Sequence, residues 1–438
     1  MKYLLIKSIF LFLLYPHFLN ADVQLIKKEN SDSDTTLLVI GGIHGDEPGG
    51  YFSASILATH YKINSKNLWI VPNLNQKSIQ KNSRGINGDM NRKFAIIKNG
   101  DKDKKIVEEI KEIITQKNVS LVLNLHDGNG FYRKTDKGNI FNPNAWGQTC
   151  VIDQCDLNQT QPFGNLNTIA LDIKERINRR LIEDHHTFDV KNTNTKFDDE
   201  AMQLSLTYYA VTHNKPAFAI ESSKNLPSLS QKVFYHLLAI EEFMNIMEIG
   251  FEREFELDEE NIAKLLQEYG DLSINDNISI NLTNIKKSLS FIPIKSESNV
   301  FRFSNPLGSI AREGRNFVAY IGNKKIVTLN PQYFKIGESC TDTFDVLVDG
   351  VKVTLNKTSD IIVNDDFNVI EQSGYRVNVI GFTSEGLVDE SGVSIKLKDF
   401  DKKFSIDVDN RVYRVEFYKN NEFCHMSKVH FIQDHENE

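Results

Sequence analysis

The sequence predicts an α/β fold: a mostly parallel, mixed sheet flanked by helices, followed by one or two small antiparallel β domains. Three observations carry this. Up to about residue 250, short β-branched apolar runs alternate with segments of helical spacing. That is the pattern of strands joined through helices that cover both faces of a sheet. Beyond about residue 255 strand-like runs dominate, and one of them, "LVDGVKV", sets Asp349-Gly350 between two alternating stretches as a hairpin turn.

The elements follow in order. Residues 35–40 (TTLLVI) read as a buried strand that turns at Gly41-Gly42. Residues 47–61 show helical spacing through Phe52, Ile56 and Leu57, and residues 68–73 (LWIVPN) read as the next strand. In residues 104–118, Ile106, Ile110, Ile113 and Ile114 share one face, as an amphipathic helix requires. Residues 119–125 and 216–220 are buried strands, and residues 167–183, 200–214 and 228–248 are helices. A short helix is expected at 258–270. Strands are expected at 276–285, 316–322, 344–356, 375–382, 393–400 and 413–419.

The N-terminus reads as an address. Lys2 and Lys7 precede an apolar run over residues 9–15, and small Ala21 stands before Asp22. This is the layout of a secretory signal peptide over residues 1–21, cleaved after Ala21, with no stable membrane insertion afterwards. The run is short for a span of about 20 residues. A net charge of −8 argues against a nucleic-acid partner, because phosphate binding needs a basic surface. Cys150, Cys155, Cys340 and Cys424 would reach an oxidising compartment. Cys150 with Cys155 would close a small loop, whereas Cys340 and Cys424 are less obviously matched, and free buried thiols suit them equally well.

Three separated stretches converge on one chemistry. "GGIHGDE" (41–47) offers His44 and Glu47, "NLHDG" (124–128) offers His126, and "AFAIESS" (217–223) offers Glu221. Two imidazoles and a carboxylate hold a zinc ion and leave a position open for water. A further carboxylate takes that water's proton. Each of His44, His126 and Glu221 follows or ends a predicted strand, where ligand sites of open α/β sheets gather. An isolated HxxE is common by chance, but the surrounding glycines and preceding strand favour ligation. Asp46 reads as a support for the ligands or a surface charge, and Lys93 as surface. Asp127 is placed to accept the other ring proton of His126. Glu221, in apolar surroundings, is expected to have a raised pKa that suits a general base. "NSRGINGDMNRKF" (82–94) supplies Arg84, Asn91 and Arg92 for binding a carboxylate and stabilising an oxyanion.

Taken together, "HGDE…DMNRKF…NLHDG…AIES" resembles the zinc carboxypeptidases of the M14 type over roughly residues 35–250. The resemblance implies one zinc ion held by His44, Glu47 and His126. It also implies that Asn91 and Arg92 hold the substrate carboxylate, that Arg84 stabilises the oxyanion and that Glu221 is the catalytic base. Met90 stands where leucine is usual. The "GGIHGDEPGG" form is similar to the succinylglutamate desuccinylase and aspartoacylase branch. The export signal and β-rich second half resemble instead the cell-shape-determining peptidoglycan DL-carboxypeptidases of helical bacteria. That resemblance implies a periplasmic enzyme acting on peptidoglycan muropeptides, trimming terminal diaminopimelate from a tripeptide stem. Its domains would be 22–250 (catalytic), 251–340 and 341–438 (both β-rich).

Two rivals follow from the same residues: a zinc-dependent deacylase acting on small acidic amides, and a non-catalytic wall-binding protein that kept the fold. Tyr132, Tyr208 and Tyr209 are pocket candidates, although aromatic residues at such places are more often core. Residues 187–199 are a candidate loop over the substrate. The sequence does not indicate oligomeric state.

Overall fold

The computed structural model describes residues 23–30, 33–157 and 161–432. The expected signal segment, residues 1–21, lies outside the described residues. The first half is built on a seven-stranded mixed sheet. Its strands are β1 (Ile26–Lys28), β2 (Thr36–Ile40), β3 (Asn67–Val71), β4 (Val119–Gly128), β5 (Thr149–Ile152), β6 (Asp189–Asn192) and β7 (Ala217–Ser223), in the order β1-β3-β2-β4-β7-β5-β6. The central pairings β3–β2, β2–β4 and β4–β7 are parallel, while β1 and β5 run antiparallel to their inner neighbours. Every residue of β2 and β3 is buried. That explains why these strands read as continuous apolar runs rather than alternating ones.

Helices cover both faces. On one side lie α1 (Pro48–His60), α3 (Leu166–Ile177) and α5 (Leu229–Ile246), with Phe218 of β7 packed on Phe243 of α5 at 4.9 Å. On the other lie α2 (Lys104–Ile114) and α4 (Leu206–Thr212), joined where Lys111 sits over the Tyr209 ring. The apolar face of α2 is Val107, Ile110, Ile113 and Ile114, with Ile106 only half-buried. Each such buried aliphatic side chain contributes about 1.5–3 kcal/mol. The helix expected over 200–214 is split. A short turn, Met202–Leu204, precedes Ser205, whose hydroxyl accepts from Tyr208 N at 3.1 Å and starts α4 afresh. Strands β5 and β6 escaped the sequence reading. Residues 187–199, expected as a loop over the substrate, instead supply edge strand β6 and a four-residue helix, Thr195–Asp198.

The second half consists of β sheets. β8 (Asp271–Ile274), β9 (Ile278–Asn281), β10 (Phe301–Phe303), β11 (Asp360–Val363), β12 (Tyr375–Val379), β13 (Val412–Lys419) and β14 (Glu422–Phe431) form one sheet. In it β14 pairs with β9, β13 and β11, so the sheet crosses the boundary expected near residue 340. The strands of two four-stranded sheets are interleaved with it in sequence. The predicted hairpin is present: Thr343–Val348 pairs with Val351–Asn356, and Asp349 and Gly350 turn at φ 49° and 78°. The segment expected as a strand at 393–400 holds only the two-residue strand Ile395–Lys396 before a single turn of helix.

The sequence leaves the cysteine pairing open, and the fold closes one bridge among the described residues. Cys340 and Cys424 are bridged, with Cα atoms 5.7 Å apart across 84 positions. Cys150 is buried in β5, and Cys155 is exposed, its sulfur accepting from Asn192 Nδ2. Sequence proximity suggested the small loop, but Cys150 faces the sheet interior, away from any partner.

Candidate metal centre

The loop after β2 carries the first two site residues, and glycine makes it possible. Gly42 sits at φ 75°, a left-handed conformation that side-chain-bearing residues avoid. Gly45 donates its N–H to Ser83 O at 3.0 Å, and a Cβ there would lie 2.1 Å from Ser78 C and O. The chain therefore folds tightly between β2 and the Gln76–Gln80 helix before Pro48 opens α1. This places His44 and Glu47 at the C-terminal edge of the sheet.

The pleat of β4 supplies the next residue. Successive side chains on a strand point to opposite faces. Asn124 and His126 share the face toward α4, with Glu221 beside His126 in register on β7 and Ala219 two residues earlier. Leu125 and Asp127 face the opposite layer. There Asp127 accepts from Gly49 N at 2.8 Å, Ser222 Oγ at 2.6 Å and His236 at 3.1 Å. The expectation that Asp127 steadies the His126 ring is therefore corrected. The ring nitrogen Nε2 of His126 meets the amide nitrogen Nδ2 of Asn124, 2.8 Å away, while Asn124 Oδ1 is buried with no partner among the described residues, so turning the amide over gives both groups a hydrogen bond. An amide offering its oxygen there accepts the Nε2 proton and leaves the lone pair on Nδ1. Asp127 instead anchors the start of α1.

His44 Nδ1 lies 3.0 Å from Glu47 Oε1, and His126 Nδ1 lies 2.8 Å from Glu47 Oε2. One donor atom from each residue falls within 4.8 Å of the others, and all three residues are buried. The second nitrogen of His44 is held by Asp89 Oδ1 at 2.8 Å. Both imidazoles thus present Nδ1 inward while an outer partner engages Nε2, the arrangement that fits a bound metal ion. The electrostatics agree. Burial disfavours a charged His44, yet Glu47 and Asp89 overcome it and raise its pKa to about 9. Glu47 is pushed up by burial but held well below the usual carboxylate range by His44 and His126. The carboxylates that favour a charged His44 favour a cation at the same place, while burial lowers the pKa of His126 and keeps its ring neutral, the form that ligates a metal.

These residues line a cleft of about 190 Å³ together with Arg84, Asn91, Arg92 and Glu221, so all seven sequence-derived site residues meet. Arg84 reaches Glu47 Oε1 at 3.1 Å and Asp89 Oδ2 at 3.0 Å. Asn91 gives its oxygen to Leu206 N at 2.9 Å, so its NH2 group remains available. Arg92 donates to Asn91 O at 3.0 Å. Glu221 has its pKa raised well above normal, first by burial and then by the negative charge of Glu47.

Several contributors were missed in the sequence. Asp89 precedes Asn91 in the same motif, and Asn124 stands two positions before His126; both were legible once strand and turn were known. Trp146, Met202, Thr207 and Lys224 carry no local signal but line the cleft. Of the tyrosines, Tyr132 lies under Lys191 Nζ at 4.8 Å, and Tyr209 packs on Phe94 and His213, away from the cleft. Tyr208 is not among the lining residues. Lys93, read as surface, is drawn inward by Asp101 and Asp103 at 2.9 and 2.8 Å. Asp46 pairs with Lys224 at 3.0 Å.

Residues 2–267 match the family model described as carboxypeptidase controlling helical cell shape, catalytic. Residues 337–432 match the model described as the C-terminal domain of metallo-carboxypeptidase. Among solved structures, apo cell shape determinant protein Csd4 from Helicobacter pylori is 34% identical with a TM-score of 0.88, covering 94% of this chain and 100% of that one. The tripeptide-bound form of that protein gives 35% and 0.87 over the same shares. The mDAP-bound form, described as a D,L-carboxypeptidase, gives 34% and 0.88, covering 93% and 100%. No curated protein matches the chain.

Proposed function

This chain belongs to the family of carboxypeptidases controlling helical cell shape, and from that premise we propose that it is a periplasmic zinc carboxypeptidase of peptidoglycan. It removes the terminal diaminopimelate from tripeptide stems, leaves dipeptides and so influences cell shape. The carrying observation is that Glu221 stands in register with His126 while Asn91 and Arg92 line the same cleft. The Helicobacter pylori protein, crystallised with a tripeptide and with mDAP, supports this choice of substrate.

His44, Glu47 and His126 would hold the zinc through two imidazole nitrogens and a carboxylate. When bound, the ion supplies Lewis acidity and lowers the pKa of a water molecule. Glu221 takes the proton of the attacking water and returns it to the leaving amine; its raised pKa matches that double task. The Arg84 guanidinium stabilises negative charge on the scissile carbonyl oxygen. Asn91 NH2 and Arg92 grip the terminal carboxylate, which limits cleavage to the last residue.

The catalytic work is assigned to residues 22–250, with the β-rich remainder, joined across residue 340 by one sheet, as its companion. The Cys340–Cys424 bridge supports an oxidising compartment. Among the described residues no helix is long and apolar enough to cross a membrane. The test is incubation with defined muropeptides, with and without a chelator, read by mass spectrometry. Loss of diaminopimelate from tripeptide alone, abolished by chelation, supports the reading. Cleavage of simple N-acyl amino acids in preference to muropeptides overturns it in favour of a deacylase.

A further inference from the structure

Three cations line the cleft, and the proposed reaction uses only two of them: Arg84 and Arg92 have tasks, and Lys224 has none. Lys224 directly follows β7, three residues beyond Glu221, and its N–H donates to Gly128 O at 2.7 Å. The next residue, Asn225, accepts from Gly130 N at 2.8 Å, so the lysine's backbone is fixed to the end of β4. Its Nζ lies 3.0 Å from Asp46 Oδ2 and 3.7 Å from Glu47 Oε1. An ammonium has three donors. Among the described residues Lys224 has one acceptor within hydrogen-bonding distance, and its side chain is only 27% exposed. The remaining donors are available to a ligand in the cleft.

Its position relative to the other substrate-binding groups is informative. Asn91 is tied to Leu206 at the start of α4, on one side of the sheet. Lys224 reaches Asp46, two residues before α1, which belongs to the opposite helix layer. A chain of contacts joins them across the cleft: Asn91 N donates to Asp89 Oδ1, Arg84 bridges Asp89 Oδ2 and Glu47 Oε1, and Lys224 Nζ lies beyond, 3.7 Å from Glu47 Oε1. A substrate whose terminal carboxylate rests on Asn91 and Arg92 therefore extends its acyl side toward Lys224. In a diaminopimelate-containing stem, the residue on that side is a glutamate joined through its side-chain carbonyl. Its α-carboxylate is left free close to the scissile bond.

Resting on the peptidoglycan reading above, we propose that Lys224 is a specificity-determining residue that binds a second substrate carboxylate, on the acyl side of the scissile bond. Asp46 holds the ammonium in place until that carboxylate arrives. The cleft thus selects peptides bearing an acid on both sides of the cleaved amide.

The experiment compares the tripeptide with its analogue amidated at the glutamate α-carboxylate, using wild-type protein, Lys224→Gln and Lys224→Arg. A charge-assisted hydrogen bond lost from a partly buried site reduces kcat/KM by about tenfold to a hundredfold. We expect amidation to impose that loss on the wild type, mainly through KM. Lys224→Gln should suffer a similar loss on the acid substrate and no further loss on the amide, and Lys224→Arg should restore discrimination. Calorimetric binding of the dipeptide product and its amide should follow the same pattern. If Lys224→Gln depresses both substrates equally, the residue merely supports Glu47 and the proposal is overturned. If folded wild-type protein cleaves neither substrate, the peptidoglycan reading falls and takes this inference with it.

Discussion

Glu221 and His126 are direct neighbours across the parallel pairing of β7 with β4, with side chains on the same face of the sheet. Two rigid strands thus set the distance between the expected base and the expected metal. Replacing Glu221 with Gln keeps the shape and removes the proton acceptor. We expect kcat to fall by at least about a hundredfold with metal content, measured by atomic emission, unchanged. Full activity in that variant would remove Glu221 from the mechanism.

Asn124 governs the ring of His126 from two positions away on the same strand. Asn124→Leu should weaken zinc affinity about 10- to 100-fold, the usual effect of losing an outer partner of a ligating histidine. Competition against a fluorescent chelator measures it. An unchanged affinity would mean that the amide is only a packing element.

Metal removal should lower thermal stability as well as activity, because a ligand bound to the folded state alone stabilises it by mass action. Dialysis against chelator followed by differential scanning calorimetry should show a lower Tm, restored by zinc. His126→Ala should show the lower Tm and no zinc response.

Gly45 admits no side chain. Gly45→Ala forces a methyl into the Ser78 carbonyl, backbone against backbone. The β2–α1 loop must open, so we expect poor soluble yield or loss of about 1–3 kcal/mol, seen by urea unfolding, together with weak metal binding. A variant with wild-type stability would show that the loop yields easily.

His425 gives the second half a pH dependence. It is buried and stacks on Phe417 at 4.3 Å. Burial, with Lys357 adding to it, lowers its pKa from 6.5 to about 4. The folded state therefore binds fewer protons than the unfolded state between those values. Its contribution is complete above about pH 6.5 and fades as pH falls to about 4, by roughly 3 kcal/mol. Urea unfolding at pH 7 and 4.5 should show this slope in the wild type and a flatter one in His425→Phe. Parallel slopes would assign the acid sensitivity elsewhere.

How much of this was legible in the residues differs from part to part. The apolar strands and the ligand motifs were readable because each is local: a buried parallel strand is one run, and HxxE is one turn. Asp127 misled because adjacency in sequence was taken for adjacency in space. On a strand the neighbour points away, and the second neighbour, Asn124, shares the face. β5 and β6 were missed because four-residue strands carry too few side chains for a periodicity. Lys224 gave no signal at all, since its partner Asp46 lies 178 positions away. The cysteine pairing was not legible for the same reason: Cys340 and Cys424 are 84 positions apart, and only the fold brings them together.

That distant bridge has a consequence for how the molecule comes apart. The chain from Cys340 to Cys424 is a closed ring of residues hung from one covalent point. A protease that nicks an exposed turn inside it, such as the Asp349-Gly350 tip, cuts the backbone without freeing either piece. The nicked protein should run as one band without reductant and as two with it, so damage in this half stays hidden until the sulfurs are separated.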